Sequence, residues 1–371
     1  MINTYTSYQL IARDLSRSLN RVEKQPLVDR ETKYYQENIT KVTSIEEFVK
    51  NDRLFKYAMK AHGLEDMAYA KAFMVKAMKE GISDPESFAN KLTDKRYADF
   101  VKSFNFEAHG ANATVYNKAQ HLTVTNFAVQ TAIDGVDPAI VKAETDYYKA
   151  NISDVKSIDD LLADERLYKY VLTAFAIGTA EVSKEFIGKV LEEGIRDPDS
   201  LANKNEDKRF AALASAFNFE EHGEATTTFS LAQRPAIDKF MRQTLEEDAG
   251  AQNEGVRLAL YFQRKAPNIK SFYEVLADPA LAKVVRTALG LPASFASADI
   301  DKQVQLFESR LKIEDFSDPQ ALGKFLTRFT SLWEIDNPSS TAQTSLSVLF
   351  SQPVELGIST NLMMALQKMR R

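Results

Sequence analysis

The chain has 371 residues, 44% hydrophobic and 27% charged, and its 47 Lys and Arg against 52 Asp and Glu give a formal net charge of −5. That length suits two or three domains with sizeable cores, and the slight acidity supplies no overall basic field for nucleic acid or anionic lipid. With no cysteine there is no disulfide, no thiolate metal site and no thiol nucleophile, a composition that suits a reducing cytoplasm and equally a protein exported unfolded.

No apolar run approaches the roughly 20 residues that span a bilayer, so membrane insertion is not expected. The opening stretch MINTYTSYQLIARDLSRSLNRVEK lacks the basic-then-apolar order of a cleaved signal peptide. The chain is therefore expected to stay in the cytoplasm or to leave it without a cleaved signal. Within this stretch Ile11, Leu15, Leu19 and Val22 recur at helical spacing and predict an amphipathic helix. Such a helix either docks on the protein's own units or faces a partner.

From Tyr34 the chain repeats itself. Laid without gaps over the segment from Tyr147, residues 34–110 match residues 147–223 at 34 of 77 positions, which marks a duplicated structural unit. The match continues from Ala119-Gln120 to Ala232-Gln233 and from Phe127 to Phe240. A third, diverged copy begins at Tyr261 and contains SDPQALGKFLTRF. The reading is three tandem all-α units of roughly 110 residues, bounded at 1–127, 128–240 and 241–371, with amphipathic helices at both ends.

Helix starts recur on schedule within each copy. Ser44-Ile45-Glu46-Glu47 and Ser271-Phe272-Tyr273-Glu274 fit a capping box, with Ser157-Ile158-Asp159-Asp160 a weaker version. Asp84, Asp197, Asp278 and Asp318 each precede a proline, the pairing expected at a cap and first helical position. Leu54, Tyr57, Ala58 and Ala61 fall at helical spacing, as do Leu167, Tyr170, Val171 and Ala174. Phe73, Ala77 and Met78, matched by Phe186, Val190 and Leu191, lead to Gly81 and Gly194, placed to end those helices. The short runs Thr123 to Thr125 and Thr226 to Thr228 read as connectors.

The segment that most invites a chemical reading is FNFEAHG, Phe104 to Gly110, repeated as FNFEEHG at Phe217 to Gly223. A catalytic or metal-binding reading makes His109 and His222 bases oriented by Glu107 and Glu220, but the spacing supplies no nucleophile, glycine-rich loop or third ligand. The packing reading makes it a helix exit, with Asn105 and Asn218 in the left-handed conformation and the four phenylalanines anchored in the core. The third copy has SLWEIDN there, without histidine, which favours packing. His62 and His121 have Phe175 and Arg234 at the matching positions of the second copy and form no two-ligand helix pattern. The DKR runs at Asp94 to Arg96 and Asp207 to Arg209 read as solvated or ion-paired helix starts. No phosphate loop, dinucleotide fingerprint or nucleophile elbow occurs, so no catalytic residue, cofactor or metal is expected. Near the other end Ile358, Leu362, Leu366 and Met369 repeat the helical spacing, and with the adaptable methionines of VELGISTNLMMALQKMRR they form the stronger candidate for a recognition element.

The combination of YY-x-x-NI, a Ser-Ile helix start, EGI-x-DP-x-S and FNFE-x-HG resembles a bacterial domain-of-unknown-function family of tandem helical units. Its members are often encoded among flagellar genes of alphaproteobacteria. The resemblance covers most of the chain, the third unit least well, and carries no catalytic residues. It implies a component or assembly factor of the flagellum with protein partners, and it leaves self-association through the terminal helices open. Axial flagellar proteins place their mass between terminal helices, whereas this chain is a tandem array, so a cytoplasmic assembly factor also fits. The alternatives are an enzyme or metal-binding protein using FNFE-x-HG, and a general cytoplasmic adaptor unrelated to motility.

Overall fold

Ser44, Ser157 and Ser271 each start a helix, accepting from the backbone N–H of Glu47, Asp160 and Glu274 at 3.1 to 3.3 Å. The computed structural model describes residues 3–337, and every regular element among them is helical. The ranking of the capping boxes inverts. All three acids accept from the N–H of the residue before the cap, Lys156, Thr43 and Lys270, but only Asp160 also closes the reciprocal box by accepting from the cap's own N–H, that of Ser157, at 2.9 Å.

Asp278 and Asp318 cap the helices Pro279–Ala288 and Pro319–Asp336 as expected. Asp84 and Asp197 do not: they accept from the N–H of Glu86 and Asp199 in a turn, and the next helices, Phe88–Lys91 and Leu201–Lys204, begin after Ser87 and Ser200. Thr123 to Thr125, expected as a connector, opens the helix Thr123–Ile133, while Thr226 to Thr228 lie in a turn. Near the N-terminus the expected single helix is two, Thr4–Ala12 and Leu15–Glu23. Asp14 interrupts the run by accepting from the Arg17 N–H at 3.0 Å, as a cap does.

The chain divides into two compact units, Leu19–Leu245 and Met1–Ser18 with Glu246–Arg371, of which residues 3–18 and 246–337 are described. The first two repeats, expected as separate units, share the first of these because they exchange their last segments. Tyr35 in the first repeat donates to the carbonyl of Ala232 in the second at 2.7 Å, and the matching Tyr148 donates to the carbonyl of Ala119 in the first. Phe240 stacks on Tyr57 and Phe127 on Tyr170, each at a ring separation of 3.8 Å. Every core is thus finished by the other repeat's ring.

Two threonines mark the crossing. Thr114 and Thr227 each hold their own repeat, donating to the carbonyls of Val42 and Val155 at 3.0 Å. Their carbonyls accept from the opposite repeat: Gln233 donates to Thr114 at 3.1 Å and Gln120 to Thr227 at 2.7 Å. Asn117 adds bonds to the carbonyls of Thr226 and Phe229 at 3.0 and 2.7 Å. Thr114, Asn117, Thr226 and Thr227 are buried and the two glutamines half-buried, so the bonds satisfy polar atoms largely withdrawn from water.

The stretch from Tyr261, expected as a third copy, shares a local signature with the second repeat. Tyr261 donates to the capping Asp278, as Tyr147 does to Asp164. Its core belongs to the second unit, where the helix Thr4–Ala12 packs on Glu254–Lys265 and Pro319–Asp336 with Tyr8 buried. The Thr4 N–H donates to Glu334 and Asn253 donates to the Thr4 hydroxyl. SLWEIDN is not a helix exit here, because Pro319–Asp336 runs through it as one helix; Trp333 lies against the bare backbone of Gly255, where a Cβ would meet the indole at 2.3 Å.

Candidate functional site

In both copies of FNFE-x-HG the aromatics are core residues, as expected: Phe104 and Phe217 are fully buried and Phe106 and Phe219 nearly so. The asparagines differ from expectation. Asn105 and Asn218 have φ near −80° rather than a left-handed conformation, and each caps the short helix that follows, Phe106–His109 or Phe219–His222, by accepting from the N–H of Ala108 or Glu221. Gly110 and Gly223, at φ +51°, turn the chain out of that helix.

The glutamate and histidine of the motif point to different neighbours. Glu107 folds over Gly81 at the end of the helix Lys71–Glu80 and accepts from the Ser83 hydroxyl at 2.8 Å; Glu220 covers Gly194 in the same way. His109 lies flat on Tyr116, ring centres 3.4 Å apart and 6° from parallel, and His222 lies on Phe229 at 3.7 Å and 10°. Burial depresses the pKa of both imidazoles. Among the described contacts no hydrogen bond joins Glu107 to His109 or Glu220 to His222.

The remaining candidates are also engaged structurally. His62 is buried edge-on to Phe100 and Phe104. His121 sits beyond Tyr116 and accepts through Nδ1 from the Asn117 N–H at 3.1 Å, beside the repeat crossing. The DKR runs are clamps: Arg96 pairs with Asp94 and donates to the carbonyl of Gly63, and Arg209 pairs with Asp207 and donates to the carbonyl of Ala176. Gly63 and Ala176 both have positive φ, so each arginine ties down a left-handed turn. Among the described residues no three histidine or acidic side chains gather as a metal site would need.

Of the terminal candidates, Ile11, Leu15 and Leu19 are partly buried, and Ile11 packs against the core around Tyr8. Ile358, Leu362, Leu366 and Met369 lie outside the described residues. Two surface features carried no signal in a single copy. One is an exposed apolar elbow of Val129, Ile133 and Ile140 between the helices Thr123–Ile133 and Pro138–Asn151. The other is a groove of about 680 Å³ beside the second FNFE-x-HG, floored by Ile158, Leu162 and Phe219. Comparing the copies at matched positions reveals this groove. No helix among the described residues is long and apolar enough to cross a membrane.

The repeat geometry has a counterpart among known sequences. A family model described as "Protein of unknown function (DUF1217)" matches residues 61–183 and again 174–322, its two starts one repeat period apart. The chain belongs to the DUF1217 family. A crystal structure of protein AGR_C_984 from Agrobacterium tumefaciens is 36% identical, with a TM-score of 0.56 over 90% of this chain and 94% of that one. No curated protein matches. The DUF1217 match thus establishes kinship and the tandem helical repeat, in a family whose function is itself undescribed.

Proposed function

We propose that the protein is non-enzymatic and acts through protein–protein contacts, as a component or assembly factor of the bacterial flagellum. The observation that carries the first half is the fate of FNFE-x-HG. Its carboxylates close glycine turns and its imidazoles lie flat on aromatic rings, so the side chains most suited to chemistry hold the fold. The flagellar half is supported by the resemblance carried by the repeated motifs, the absence of cysteine and the apolar pattern at Ile358, Leu362, Leu366 and Met369. On this reading the partners are proteins, and neither nucleic acid nor cofactor takes part.

The test is deletion of the gene followed by a swimming assay and microscopy of filaments. Loss of motility, restored by the wild-type gene and not by a chain with Leu362→Asp and Leu366→Asp that remains folded, is the expected outcome. Normal swimming with intact filaments removes the flagellar role. For the non-enzymatic half, His109→Ala and His222→Ala are expected to lower the melting temperature.

A further inference from the structure

The two exchanged repeats supply an internal control for each other's surfaces. In the first, Ile45 and Val49 are buried at 8% and 7% exposure where the helix Ile45–Lys50 packs on Lys71–Glu80, which carries Val75, and a surface ion pair joins Lys79 to Glu46 at 3.0 Å. At the matching positions of the second stand Ile158, Leu162, Gly188, Glu192 and Asp159. Valine has become glycine, and the bridging lysine has become a second acid facing the first. A Cβ at Gly188 would lie 3.3 Å from Leu162; without it Ile158 and Leu162 are partly exposed, and the groove opens between the helices Ile158–Ala163 and Lys184–Glu193.

Its rim is acidic. Lys189 is held by Glu185 at 3.0 Å, and Lys184 by the Leu162 carbonyl and Glu165. Among the lining residues this leaves Asp159, Glu192 and Glu224 against Lys156. Glu224 has only Ala111 as its counterpart in the first repeat. An apolar floor between acids is complementary to a segment with apolar residues at helical spacing and basic residues beside them. Residues 354–371 have that composition, with Leu362, Met363, Leu366 and Met369 interleaved with Lys368, Arg370 and Arg371.

We infer that this groove of the second repeat receives residues 354–371 of a second copy of the chain. The contact is heterologous, one copy's groove taking another's segment, so association does not stop at a dimer. The inference rests on the reading of the protein as one that works through protein contacts.

The experiment is sedimentation of the full chain from about 1 to about 100 µM, the range in which a modest interface associates. Wild type is expected to gain mass continuously with concentration. A groove variant, L162V/G188V/E192K, copies the residues that the first repeat carries at these positions, so its fold is expected to persist. A segment variant carries L362D/L366D, with R370E/R371E as a second version that leaves apolar packing untouched. Each variant alone is expected to remain monomeric, while an equimolar mixture of L362D/L366D with L162V/G188V/E192K forms a 1:1 dimer, one open groove meeting one intact segment.

A wild-type chain that stays monomeric, a groove variant that associates like wild type, or a mixture that stays monomeric overturns the docking. A self-limiting dimer unaffected by the groove variant does the same. Any of these leaves the motility test of the broader reading standing, so the two failures are distinguishable.

Discussion

Phe127 is encoded in the first repeat, yet its ring lies on Tyr170 of the second, 3.8 Å away and 19° from parallel. Truncating it therefore has a distinctive expected outcome. Phe127→Ala removes a ring that is 6% exposed, which costs about 3–5 kcal/mol as a cavity in a packed core and includes a stacking contribution of about 0.5–1.5 kcal/mol. The cost falls on the second repeat. In hydrogen exchange read by mass spectrometry, the helix Glu165–Ala174 should lose protection first, with Asp52–Ala61 of the first repeat less affected. Phe240→Ala is the mirror experiment, because Phe240 stacks on Tyr57; it should spare Glu165–Ala174 and open Asp52–Ala61. If Phe127→Ala instead opens its own repeat first, the exchange of segments is wrong. Equal loss in both helices for both variants refutes the assignment of each ring to one core.

Other outcomes can be checked by thermal and denaturant unfolding. Gly81 has φ +68° and ψ −155°, and its Cβ would fall 2.5 Å from Glu107 Oε2, so Gly81→Ala should cost at least about 1–3 kcal/mol. Gly135→Ala, at similar φ with nothing within 4 Å, should cost less, and equal losses would remove the close approach of Glu107 from the explanation. Glu246 is 2% exposed and accepts two bonds from Arg264, at 2.8 and 2.7 Å, so Glu246→Ala removes two charge-assisted bonds from a guanidinium that is still about one-third exposed and should cost about 1–3 kcal/mol. A near-neutral result would show that the two bonds contribute nothing net to stability. Burial lowers the pKa of His109, His121 and His222, so the unfolded chain takes up those protons first. Their contribution is complete above the unfolded value of about 6.5 and is lost as pH falls through it toward the lower folded values. The melting temperature should therefore drop between pH 7.5 and 5.5, and drop less in H109F/H222F; identical slopes would exclude the imidazoles as the cause.

Much of the local structure was legible in residues alone. Ser44, Ser157 and Ser271 begin helices because a hydroxyl there meets an orphan N–H, and Gly81 and Gly194 end the helices Lys71–Glu80 and Lys184–Glu193 because only glycine takes that backbone conformation freely. The fourfold phenylalanine anchor of FNFE-x-HG was equally readable, since large apolar rings beside a chain turn have few places to go but the core. The roles of Glu107, His109 and Arg96 were not: each acts on a residue brought near by folding, Gly81, Tyr116 and Gly63 respectively.

By itself the sequence determined that the protein is helical, that its unit recurs, and where most helices start and stop, because caps, glycines and apolar spacing act over a few residues. Only the tertiary structure decided which repeat completes which core. Tyr35 could meet the carbonyl of Ala119 or that of Ala232 with the same local chemistry, since the two segments are copies. Local interactions cannot distinguish identical partners; the path of the connecting chain and the packing of both cores together make that choice.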